Sequence, residues 1–193
     1  MRGRYGMLLP CTSVAALALL QAPTRAAVVE QHLQRPYPVY AQPGESLRQA
    51  LHAASPIVVE GRRFHGHAHW TVEWSYDWWR EASGRCTITE VTTHLRTEVQ
   101  LPQLRRSTPA QQAAFDRYLP ALSRHEQGHV QLGREAAQAI DQGIARLPAA
   151  PDCATLERQA EDLGSRLLQD HMERNRQYDL RTDHGASQGA RLD

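Results

Sequence analysis

The chain has 193 residues, of which 41% are hydrophobic and 22% charged, and its formal net charge is +1. That length suits one domain with a real core and is short for two, and the composition excludes a disordered or fibrous chain. So small a charge argues against nucleic acid or an acidic membrane surface as a partner.

The first residues resemble an export signal. Arg2 and Arg4 give a positive start, and an apolar stretch runs from Met7 to Leu20, broken by Pro10 and Thr12-Ser13. Small residues follow at Ala22 and at Ala26-Ala27. This predicts a signal peptide over 1–26 and a single mature domain over 27–193. The segment is too short for a comfortable membrane span, though an uncleaved anchor is its other reading. The expected location is periplasmic or extracellular, with no stable membrane anchor after cleavage. Cys11 would leave with the signal. Cys86 and Cys153 remain, and in an exported chain they predict a disulfide. Closing so long a loop is worth about 4 kcal/mol in the chain-entropy model.

The front half predicts strands. Val28 to Tyr40 carries β-branched and aromatic residues around Pro36 and Pro38, so it reads as an edge strand at best. Glu45 to Ala54 has Leu47, Ala50, Leu51 and Ala54 at helical spacing. His65 to Trp74 alternates and is rich in Trp, Thr and Val. Cys86 to Leu101 is the strongest strand signal, with Ile88, Glu90, Thr92 and His94 on one parity and Val91, Leu95 and Val99 on the other.

The back half predicts helices. Ser107-Thr108-Pro109 with Gln111 and Gln112 is a helix start: a hydroxyl cap, Pro in the first turn, and Gln at the capping-box position. An apolar stripe follows through Phe115, Leu119, Leu122, Leu132, Ala136, Ile140 and Ile144. Pro120 is expected to kink or divide this helix. After a turn over Leu147 to Asp152, a second helix is expected from about Ala154 to Gln177. Its inward residues would be Leu156, Leu163, Leu167 and Leu168. Strands first and helices after predict an α+β fold.

His125-Glu126-Gln127-Gly128-His129 lies on the first of these helices. Histidines at i and i+4 project from one helix face and can both reach one Zn²⁺ at about 2.0–2.1 Å. Glu126 fits the general base that activates a metal-held water. The stripe His125, His129, Leu132, Ala136, Ile140 puts both imidazoles on the inward face.

A catalytic zinc needs a third protein ligand. From His129 to the hairpin turn is about 18 residues, or roughly 27 Å, so the second helix returns to this level near Met172. Glu157 and Glu161 fall short of that level. Tyr178 to Gly185 lies just past it and is dense in ligating groups. His184 is the first choice of third ligand, Asp179 the second and His171 the third. Tyr178 could stabilise an oxyanion. The competing reading is that these residues only cap the helix and order the tail.

The same residues resemble a known bacterial group, the predicted secreted zinc-dependent proteases, long classed as a domain of unknown function. The resemblance rests on Trp70-Thr71-Val72-Glu73-Trp74-Ser75-Tyr76, Gly84-Arg85-Cys86, the His125–His129 motif and Pro151-Asp152-Cys153. It continues through Tyr178-Asp179-Leu180-Arg181-Thr182-Asp183-His184-Gly185 and Gln188-Gly189-Ala190. It implies a zinc peptidase.

The expected architecture is therefore a small antiparallel sheet from the N-terminal half, packed on a two-helix, zincin-like C-terminal half. One Zn²⁺ per chain would sit on His125, His129 and His184 (or Asp179). The substrate would be a peptide or protein, held as an extended strand beside Thr87 to Glu98. The rival reading is a non-catalytic exported zinc-binding or envelope interaction protein of the same fold. His65, His67 and His69 alternate, so a strand would put all three on one face; a solvated face is the ordinary meaning of such a cluster, a second metal site the alternative. Trp70, Trp74, Trp78 and Trp79 could form an aromatic core under the sheet or line a groove.

Overall fold

A computed structural model describes residues 25–192. The expected signal, 1–26, lies outside them except for its last two positions. The elements are β1 (Arg25–Gln34), β2 (Tyr37–Tyr40), α1 (Leu47–Ala54), β3 (Val58–Val59), β4 (Arg62–Arg63), β5 (His67–Arg80), β6 (Cys86–Gln100), β7 (Pro102–Arg106), α2 (Pro109–Ala145) and α3 (Cys153–Thr182). A short 3-10 turn, Ala186–Gln188, follows. The fold is mixed α+β, strands before the long helices.

The main sheet has the order β1-β6-β5. β5 runs antiparallel to β6, but β1 runs parallel to it. The sheet is therefore mixed, which corrects the expectation of an antiparallel one. Parallel pairing needs a long crossover, and β2, α1 and β5 all lie between β1 and β6 in the chain. Val28 to Tyr40 is also two strands rather than one. Pro36 supplies no N–H and ends β1. The chain resumes as β2, which pairs in parallel with β7 in a second, two-stranded sheet.

β6 changes parity along its length. Cys86 and Ile88 are buried, then Val91, Thr93, Leu95, Thr97 and Val99. The cause is a bulge: Asp77 pairs with Glu90 while Trp78 pairs with Ile88, leaving Thr89 unmatched. One extra residue flips which side chains face the helices. β6 is also the central strand, paired on both edges. It has no free edge for a substrate, which corrects the expected docking along Thr87 to Glu98. The free edges belong to β1 and β5.

α2 starts where the sequence indicates. Thr108 Oγ1 accepts from Gln111 N–H, and Gln111 Oε1 accepts from Thr108 N–H at 2.7 Å, a complete capping box. Pro120 does not divide the helix. The missing hydrogen bond costs about 3 kcal/mol, but Phe115, Tyr118 and Leu122 are buried around it and hold the helix together. The main core lies between sheet and helices, with Val91, Leu95, Ile140, Ile144 and Leu156 all 0–1% exposed. Cys86 and Cys153 form the predicted disulfide, with Cα atoms 5.0 Å apart. It ties the start of β6 to the start of α3. Among the described residues, no helix is long and apolar enough to cross a membrane.

α3 runs past its expected end at Gln177. Thr182 Oγ1 donates to Tyr178 O at 2.8 Å, and Asp183 closes the helix in the left-handed conformation. Tyr178 and Asp179 therefore stand on the last turns of α3 rather than past its end.

Candidate functional site

α2 carries His125 and His129 inward, one turn apart. Both are buried, as is Glu126. The ligand atoms of these three lie within 4.8 Å of one another. The two Nε2 atoms are 3.3 Å apart. Asp179, brought in by α3, stands closer still: its Oδ1 is 3.1 Å from His129 Nε2 and 3.2 Å from His125 Nε2. Asn175 and Asp179 thus meet His129 about one and two turns beyond Met172, slightly past the level that helix length alone gives.

The tautomers of both histidines follow from their partners. Trp70 Nε1–H can only donate, and it points at Asn175 Oδ1 at 3.0 Å. That atom is therefore an acceptor, and His129 Nδ1, 2.9 Å away, must carry its proton toward it. Tyr178 and Gln188 do the same for His125. The His125 carbonyl accepts from the Tyr178 hydroxyl at 3.3 Å. The Tyr178 oxygen then accepts from Gln188 Nε2 at 3.0 Å. This leaves Gln188 Oε1 facing His125 Nδ1 at 3.1 Å, as acceptor.

With Nδ1 carrying its proton, the neutral form of each imidazole presents a bare Nε2 lone pair to the other and to a carboxylate. Three acceptors 3.1–3.3 Å apart repel unless a cation lies among them. Ligands at 2.0–2.1 Å from a tetrahedral ion stand roughly 3.3–3.4 Å apart. The spacing and the all-acceptor donor set fit a zinc ion, and the Asn175 and Gln188 amides supply the outer hydrogen bonds that metal-binding histidines need. A proton fits in part. Burial pulls His129 down, but its hydrogen bonds to Asp179 and Asn175 outweigh this and raise its pKa. Burial pushes Asp179 up, and the two histidines more than reverse that and hold it well below the usual carboxylate range.

Glu126 is the neighbouring acid. Burial pushes its pKa up to about 7, partly offset by His125 and His129. It accepts a hydrogen bond from the backbone N–H of Ala68 on β5. A carboxylate poised near neutrality can take a proton and give it back. His125, Glu126 and His129 are buried, whereas the side chains of Asp179 and His184 are about 30% exposed, so the centre opens on that side.

Tyr178 stacks on His125, ring centroids 5.1 Å apart and planes 10° apart, and meets His129 edge-on at 4.9 Å. Its hydroxyl is engaged with the His125 carbonyl and Gln188. A Cβ at Gly128 would collide with that hydroxyl, which explains the glycine inside the motif. The tail also crosses His125: Gly185, at φ +86°, passes so close that a Cβ there would lie 2.9 Å from His125 Cγ. A left-handed backbone and this contact both require glycine.

His184 Nδ1 lies 3.5 Å from Asp179 Oδ1, beside that carboxylate, and its ring leans on Phe64. His171 is buried elsewhere on α3, among Arg174, Glu135 and Asp170, with Nδ1 unpartnered among the described residues. The three alternating histidines do not share a strand face. His65 precedes β5 and bonds the Tyr118 hydroxyl at 2.9 Å; His67 and His69 stack loosely, 6.4 Å between centroids. Trp70 is buried, while Trp78 and Trp79 are 40% and 67% exposed, so the four do not form one core. Asn175 and Gln188 were not anticipated. Asn175, Tyr178 and Asp179 sit at i, i+3 and i+4, a helical face that could have pointed to the first.

Residues 34–185 match a family described as bacterial protein of unknown function, DUF922. The chain belongs to that family. No curated protein and no solved structure matches it. Within this DUF922 chain the match spans α2, with the two histidines, and α3 with Asp179, and ends at Gly185, just short of Gln188.

Proposed function

We propose that this DUF922 chain is an exported zinc-dependent peptidase, with Zn²⁺ held by His125, His129 and Asp179. The observation that carries the reading is the triangle of acceptor atoms, His125 Nε2, His129 Nε2 and Asp179 Oδ1, at 3.1–3.3 Å. Asp179 takes the third place ahead of His184 because it alone reaches both histidines. His184 then holds the Asp179 carboxylate from outside. Bound zinc would supply Lewis acidity, lowering the pKa of a water it holds and polarising a peptide carbonyl. Glu126, steadied by Ala68 N–H, would take the proton of the attacking water and return it to the leaving amine. Tyr178, with its hydroxyl tied back, positions the imidazoles instead of meeting an oxyanion. An extended substrate would pair with β5, the free sheet edge that touches Glu126 at Ala68.

The test is zinc content and proteolysis of Glu126→Gln beside the wild type. Expected are one zinc in each protein and peptide hydrolysis only in the wild type. Undiminished hydrolysis by a zinc-loaded Glu126→Gln chain would overturn the mechanism. Full zinc in both with hydrolysis in neither would favour the non-catalytic zinc-binding reading.

A further inference from the structure

Asp141 lies on α2 about three turns beyond His129. It is 4% exposed. Its carboxylate accepts from Thr93 Oγ1 at 3.1 Å and from the backbone N–H of Ala27 on β1. Among the described side chains no cation pairs with it, and burial pushes its carboxyl pKa up. A buried carboxylate with only neutral donors is costly to ionise.

The donor on β1 is not an arbitrary residue. The stretch Thr24-Arg25-Ala26-Ala27 closes the expected export signal. A signal-processing site needs small residues at the last and third-last positions. Cutting the Ala26–Ala27 bond meets this with Ala26 and Thr24. Cutting after Ala27 would put Arg25 in the third-last place, and cutting after Ala22 would leave Pro23 first. The favoured cut frees the nitrogen that already points at Asp141.

We propose that cleavage of the Ala26–Ala27 bond during export is a maturation step that seats the new α-ammonium of Ala27 on the buried carboxylate of Asp141, locking β1 to α2. The proposal rests on the export reading and is independent of the zinc site. Cleavage adds one water: the Ala26 carbonyl carbon takes the hydroxyl and the Ala27 nitrogen takes the hydrogen. The amine, with an ordinary pKa of about 7.7–8.0, binds a further proton at neutral pH. The cut falls on the chain as it crosses the membrane, before β1 pairs. A neutral amide hydrogen bond then becomes a charge-assisted one. Arg134 already holds Glu30 of β1 at 2.7–3.0 Å from the same side of α2, two turns before Asp141. The ammonium would be the second and buried clasp of this edge strand.

The sequence has no Lys, so the α-amine is the one amine that an acetylating reagent can modify. The experiment compares three preparations of the exported protein: a chain starting at Ala27, the same chain acetylated at its α-amine, and a chain starting at Ala26. The first should melt higher than the other two by about 5 °C or more. Asp141→Asn should erase the difference. Intact mass of the naturally exported protein should show Ala27 first. A different natural N-terminus, equal melting of the three preparations, or a difference that survives Asp141→Asn would each overturn the proposal. Acetylation needs no variant, so the test stands even if Asp141→Asn does not fold.

Discussion

Trp70 and His129 donate to the same oxygen, Asn175 Oδ1, at 3.0 and 2.9 Å. The indole comes from β5, the imidazole from α2 and the acceptor from α3. One oxygen thus registers all three elements and, in doing so, fixes which nitrogen of His129 faces the centre.

Removing that oxygen should weaken metal binding without unfolding the domain. Asn175→Ala frees His129 to rotate or change tautomer, and losses of this kind run to about 10–100-fold in affinity. Competition against a zinc indicator measures it, with the melting curve as control. Zinc affinity equal to that of the wild type would show that His129 is oriented by packing alone.

The Tyr178 ring and its hydroxyl are separable. Tyr178→Phe keeps the stack on His125 and loses the bond to the His125 carbonyl, a cost of about 1 kcal/mol. Gly128→Ala puts a methyl where the hydroxyl lies, and must displace the whole ring. The expected order is a small loss of stability and zinc affinity for the first and a large loss for the second, by at least about 2 kcal/mol. Thermal melts with and without zinc rank them. If Gly128→Ala were the milder change, the ring would not be holding the site.

Much of this was legible in the sequence, for identifiable reasons. The start of α2, the inward histidines and the disulfide each have local signals: a hydroxyl-Pro-Gln cap, a spacing of four, and just two cysteines beyond the expected signal. The parallel pairing of β1 had none, because the chain between β1 and β6 does not encode which strand will neighbour which. The phase of β6 was hidden by the bulge at Thr89, which puts Ile88 and Val91 on one face despite their opposite parity. Helix length pointed to the stretch of chain that meets His125 and His129. It could not choose between Asp179 and His184, because that depended on whether α3 stopped at Gln177 or continued to Thr182.

The disulfide should matter for stability and little for the site. Cys86 and Cys153 sit at the end of the core away from His125, bridging β6 to the first turn of α3. Replacing both with Ser is expected to cost about 2–5 kcal/mol. Urea unfolding reads the loss, and zinc content should stay at the wild-type value. A variant that lost its zinc while still folded would mean the bridge sets the height of α3, and so the position of Asp179.

His65 should make the protein acid-sensitive. Burial, with His52 and Arg48 nearby, pulls its pKa down to about 4, and the neutral ring bonds the Tyr118 hydroxyl. The unfolded chain, with an ordinary value of 6.5, binds this proton first. Between pH 6.5 and about 4 the unfolded state therefore carries more protons, and stability falls as pH is lowered through that window. Below about 4 both states are protonated and the effect levels off. His65 is only partly buried, so solvent screens part of the shift, and the expected loss is about 1–2 kcal/mol. His65→Gln can still bond Tyr118 but does not titrate. Urea midpoints measured from pH 7 to 4 should fall more steeply for the wild type than for His65→Gln, since the other titrating groups are common to both. Parallel curves would mean that another group carries the acid sensitivity.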